Sequence, residues 1–109
     1  MARSRTVFAH ESESDLAKLF DFYRIAWQYE PRAFPIGWDG GGKPVAFFTP
    51  DFYLPDYDLY IEMTVAKPAM NTRKNRKLRL MARYHPRVRV KLFTRRDVER
   101  LFARLRPAA

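Results

Sequence analysis

The sequence predicts an α/β fold, a mixed sheet flanked by helices in the order αβββαβα. Three observations carry that prediction. Apolar residues recur at helical spacing in three separate stretches. Between the helices lie short stretches rich in aromatic and β-branched residues, the clearest alternating apolar and polar with period two. Turn signals separate three consecutive strands, whereas a helix joins the third strand to the fourth. The first arrangement implies an antiparallel meander, and the helical crossover lets the fourth strand lie parallel to a neighbour.

Ser12 or Ser14 caps a first helix running to about Ala26, with Leu16, Ala17, Leu19, Phe20 and Tyr23 as its apolar face. Residues 27–34 are rich in aromatics and read as a first strand, irregular around Pro31. Asp39-Gly40-Gly41-Gly42 is a hairpin turn. A second strand begins at residues 45–48, is interrupted by Pro50 and continues through 51–54. Pro55-Asp56-Tyr57-Asp58 is a further turn. Residues 59–65 form the third strand, with Leu59, Ile61, Met63 and Val65 on one side and Tyr60, Glu62 and Thr64 on the other. Asn71 or Thr72 caps a second helix over about 72–84, ended by Pro86. Its apolar residues are Leu78, Met81 and Tyr84, and most of the rest is Arg or Lys. Residues 88–93 make the fourth strand. Thr94-Arg95-Arg96-Asp97 matches a capping box with Asp in the usual Glu position. It opens a last helix to about Arg106, with Val98, Leu101, Phe102 and Leu105 as its stripe.

At 109 residues the chain holds one domain, 1–109, and a second would have almost no core. Hydrophobic residues at 47% and charged residues at 30% are a globular composition. There is no cysteine, which excludes disulfides, thiolate catalysis and cysteine-ligated metals. With two histidines, any metal is held mainly by oxygen, which selects magnesium or manganese. No motif for a small-molecule cofactor is present. The longest apolar run is four residues, 45–48, so no membrane span is expected. No apolar segment of signal-peptide length follows the basic N-terminus, and a cytoplasmic location is expected.

Charge is segregated along the chain. Residues 1–62 hold 6 basic and 10 acidic side chains, a net of −4, and residues 63–109 hold 15 and 2, a net of +13. The sum is the formal +9 of the whole chain. Such a basic half attracts a polyanion, although Lys and Arg runs are often only a solvated face. On the second helix Arg73, Lys74, Arg76, Lys77, Arg79 and Arg83 are too many for a buried element. Trp38 and Tyr57, near turns, are of a type that stacks on bases, but packing is their commoner use.

Three carboxylates can converge. Asp51 and Glu62 lie on neighbouring strands folded together by the turn at 55–58. Glu13 falls on the apolar stripe of the first helix, three residues before Leu16 and seven before Phe20, where an acid needs a partner. A shared divalent cation would be one. Each acid also has a plainer reading: Glu13 as a helix-start residue, Asp51 as a turn residue after Pro50, Glu62 paired with a cation of the basic helix.

The run Phe48-Thr49-Pro50-Asp51-Phe52-Tyr53-Leu54-Pro55, then Tyr60-Ile61-Glu62, resembles the PD-(D/E)XK nuclease superfamily. Ten residues separate Asp51 from Glu62, and one separates Glu62 from Thr64. The element order is similar to that superfamily's restriction-endonuclease-like core with a final helix added, and the resemblance spans about residues 11–106. Ser12-Glu13 through Asp21-Phe22-Tyr23, with Thr72-Arg73-Lys74-Asn75-Arg76-Lys77, looks like a group of small bacterial members and, more distantly, like Holliday junction resolvases and very small transposase-type endonucleases. The resemblance implies Asp51 and Glu62 as metal ligands and Glu13 as the helix-borne acid that many members add. It departs at position 64, where Thr64 stands in place of the motif lysine. That lysine positions water and offsets developing charge. Lys67, just past the strand, is the first substitute and Lys74, in the next helix, the second. Thr64 keeps the Glu62 face and can hold a water.

These readings lead to a magnesium- or manganese-dependent DNA endonuclease in which Glu13, Asp51 and Glu62 bind metal and Lys67 or Lys74 assists. Thr64, Arg73, Lys74, Arg76, Lys77 and Arg79 would face nucleic acid. A chain this small covers little DNA, so a homodimer is expected. The alternative is a catalytically silent nuclease fold that only grips nucleic acid. A small basic structural protein of a ribonucleoprotein particle is a third reading.

Overall fold

A computed structural model describes residue 8, residues 11–64 and residues 68–105, including all side chains there except those of 68–71, 101, 102 and 105. Its elements are α1 (Glu11–Phe22), β1 (Gln28–Tyr29), β2 (Phe34–Trp38), β3 (Pro44–Phe48), β4 (Phe52–Leu54), β5 (Leu59–Met63), α2 (Pro68–Tyr84), β6 (Val90–Phe93) and α3 (Arg95–Leu105). The main sheet has the order β1-β4-β5-β6. β1 and β5 run antiparallel to β4, and β6 runs parallel to β5. The mixed α/β sheet flanked by helices is therefore present, with α2 as the crossover. No helix among the described residues is long and apolar enough to cross a membrane.

The expected antiparallel order of the first three strands is present as β1-β4-β5, but it is not one simple meander. β2 and β3 form a separate two-stranded hairpin, and the expected second strand is cut between two sheets. Pro50 stands at the cut; with no N–H to donate, it cannot carry a ladder onward. The stretch 27–34 likewise splits into β1 and the start of β2, with Glu30 left-handed at φ 43° and Pro31 next. Helix boundaries also move. α1 begins at Glu11, so Ser12 and Ser14 lie inside it and cap nothing, and it stops at Phe22. Arg24 there takes a left-handed φ of 57°. Arg24 N–H donates to the Asp21 carbonyl (3.1 Å) and Ile25 N–H to that of Phe20 (2.8 Å), the pattern of a Schellman cap, and Ile25 and Phe20 share one core. α2 starts four residues before Thr72, at Pro68, a residue suited to the first helical position. Val65, Lys67 and Arg106 lie outside the described residues.

Period-two alternation splits the interior in two. Phe52, Leu54, Ile61 and Met63 face Leu16, Ala17 and Phe20 of α1 and Val98 of α3. On the other face Tyr60 and Val90 pack on Phe34, Ile36 and Phe48 of the hairpin and on Leu78 and Met81 of α2. The capping box of α3 forms as its spacing predicts. Thr94 N–H donates to Asp97 Oδ2 (3.0 Å), and Asp97 N–H donates to Thr94 Oγ1 (3.1 Å).

Candidate metal centre and basic helix

Asp51 and Glu62 meet because of strand register. β4 and β5 pair Phe52 with Ile61 and Tyr53 with Tyr60, so the next step places Asp51 opposite Glu62. With Phe52 and Ile61 committed to the α1 face, alternation turns both acids to the α2 face. Each is buried, at 7% and 8% exposure. Each carboxylate also completes the fraying ladder. Asp51 N–H donates to Glu62 Oε1 (3.1 Å), and Met63 N–H donates to Asp51 Oδ2 (2.8 Å).

Lys74 closes the third side. Its Nζ lies 3.3 Å from Glu62 Oε2 and donates to the Met63 carbonyl. Lys74 precedes Leu78 by four residues and Met81 by seven, so it belongs to the helix stripe that faces the sheet. That spacing is visible in the sequence. Thr64 is buried on the Glu62 side, its N–H donating to the Phe93 carbonyl (2.8 Å).

Glu13 is buried at 4% exposure and accepts a hydrogen bond from the Tyr29 hydroxyl at 2.5 Å. It approaches Asp51 closely enough for its charge to act there, but it does not join the pair. Among the described residues no three His, Cys, Asp or Glu side chains come together to hold a metal ion. No spacing in the sequence points to Tyr29 as the partner of Glu13.

The electrostatics follow from this crowding. The Asp51 carboxyl is pushed up to about 8, chiefly by burial, then by the charge of Glu62, with Glu13 adding to it; the Met63 N–H and Lys74 oppose the rise. Burial also raises Glu62, with Lys74 as the main opposing influence. Two buried carboxyl groups thus face a single Lys74 amine, which lies against Glu62.

No family model, curated protein or solved structure matches the chain.

Around the acids, α2 turns Arg73, Arg76, Lys77 and Arg79 to solvent. Trp38 packs edge-to-face on Tyr84 with centroids 4.8 Å apart, yet stays 39% exposed, and Tyr57 is 52% exposed.

Proposed function

We propose that this protein is a magnesium- or manganese-dependent DNA endonuclease built on a PD-(D/E)XK-like core. The observation that carries the reading is the buried Asp51–Glu62 pair, aligned across β4 and β5 with the Lys74 amine against Glu62. Two buried carboxyl groups that share one amine would be offset by a divalent cation once ionised, and hard cations take carboxylate and carbonyl oxygens. Asp51, Glu62 and the Met63 carbonyl offer such oxygens, and Glu13 is the nearby acid that Tyr29 restrains. A cation held there would activate water and neutralise charge on a scissile phosphate. Lys74 supplies the positive charge that Thr64 lacks, and it would stabilise a developing oxyanion. Arg73, Arg76, Lys77 and Arg79 would bind the phosphate backbone, which positions the strand without reading its bases. Action as a homodimer in the cytoplasm completes the proposal. The test is plasmid cleavage with added magnesium or manganese. Asp51→Ala should abolish cleavage while leaving duplex binding in calcium intact; cleavage equal to the parent's would refute the mechanism.

One observation favours the silent-binder reading. Lys74 already neutralises Glu62, and three acids do not converge. That reading predicts salt-sensitive binding with no cleavage at any divalent-ion concentration.

A further inference from the structure

The basic half of the chain is not one surface. α2 packs through Leu78 and Met81 on one face of the sheet, whereas α3 packs through Val98 on the other. The arginines of α3 therefore lie on the far side of the sheet from the Asp51–Glu62 pair. At about 100° per residue, Arg96 and Arg100 stand roughly 160° from Val98 and Arg104 roughly 120°, so all three point outward. All three are exposed.

Local stability does not explain this stripe. Arg95 is the arginine that works inside the fold, 3.8 Å from Asp15 and 3.5 Å from Glu99. Among the described residues no acid forms an ion pair with Arg96, Arg100 or Arg104; Asp97 feels Arg100 only as a minor influence. Like charges four residues apart weaken a helix. A cation in the first turn, as Arg96 is, opposes the helix dipole, whereas Arg104 in the last turn suits it. No ion pair offsets the mutual repulsion of the stripe, and its charge complements a polyanion.

We propose that the outward face of α3 is a second nucleic-acid backbone site. It would hold a duplex segment separate from the one on α2, so that a single protomer bridges two segments. Successive arginines are spaced about 6 Å along the helix, against about one phosphate charge per 1.7 Å of duplex axis. Contacts of this kind are sequence-independent. Two segments are needed because a duplex with a persistence length of about 50 nm does not wrap from one face of a small domain to the other without a large bending cost. The inference rests on nucleic-acid binding but not on the metal centre.

The test uses the full chain with two short duplexes, one biotinylated and one fluorescent. Protein added to both should retain the fluorescent duplex on streptavidin. An R96Q/R100Q/R104Q variant should lose that retention yet still bind a single duplex through α2. Gln keeps nearly the helix propensity of Arg, and R96K/R100K/R104K should restore bridging if charge is what matters. Bridging by the Gln variant at the parent's level would overturn the proposal and assign bridging to α2 in a dimer. So would a parent protein that does not bridge, or arginine-dependent capture by phosphatidylserine vesicles in preference to duplex at the same salt. Failure to bind even one duplex would refute the nucleic-acid reading as well.

Discussion

On the proposed function, Asp51 is where proton, cation and fold compete. Its folded carboxyl, at about 8, is raised above the ordinary 3.8. A raised acid stabilises the fold only while protonated, so its contribution is complete below about pH 4 and is lost as pH climbs toward 8. The loss is on the order of a few kcal/mol. Asp51→Asn, whose amide oxygen can still accept the Met63 N–H, should raise the Tm at pH 8 and give no gain at pH 4. Magnesium should stabilise the parent more at pH 8 than at pH 6, because it competes with the same proton, and should do little for the Asn variant. Thermal melts across pH, with and without magnesium, decide both. Lys74 gives the companion prediction. Lys74→Met strips the cation from a buried acid and should cost about 1–3 kcal/mol; cleavage should fall with it, whereas Lys67→Met should leave activity near the parent's. Parallel denaturation and cleavage assays separate the two lysines. At this scale the sequence was informative about chemistry and less so about partners. Asp51 and Glu62 were legible because period two and a tight turn together dictate which side chains oppose. Tyr29 was not, because its bond to Glu13 joins segments that only the packing of α1 on the sheet brings together.

Among the elements, legibility followed the range of the cause. The capping box at Thr94–Asp97 is encoded within four residues, and both of its hydrogen bonds are present. Thr94→Ala should therefore cost about 1 kcal/mol in urea denaturation. The end of α1 is also local but is not signalled in the sequence, because its cap uses Arg24 where glycine is usual. A left-handed non-glycine residue carries a penalty of roughly 1–2 kcal/mol. Arg24→Gly removes that penalty and should stabilise the protein by about 0.5–1 kcal/mol, after the entropy glycine adds to the unfolded chain. A lower denaturation midpoint for this variant would contradict the Schellman assignment. The split of the expected meander had a longer-range cause. Residues 45–54 alternate well enough for one strand, but Phe48 packs with α2 while Phe52 packs with α1. The proline between them lets the chain change sheets, and nothing in the local pattern says on which layer each half will land.

The whole molecule is layered, and the layers are unequal in what they do. α1 and α3 cover one face of the sheet; α2 and the β2–β3 hairpin cover the other, where Asp51, Glu62 and Lys74 meet. Only the second layer positions the Lys74 amine, and Met81, at 1% exposure, is buried where α2 packs on that face. Truncating Met81 to Ala should cost about 2–5 kcal/mol and should also let α2 shift, parting Lys74 from Glu62. Val98, at 3% exposure, is the matching anchor of α3 on the far face. Val98→Ala should cost about 1–3 kcal/mol but leave the Lys74–Glu62 contact in place. Cleavage measured well below both melting temperatures should thus fall more for the Met81 variant than stability alone predicts, and stay near the parent's for the Val98 variant. Equal loss in both would mean that the acids answer to global stability rather than to the seating of one helix.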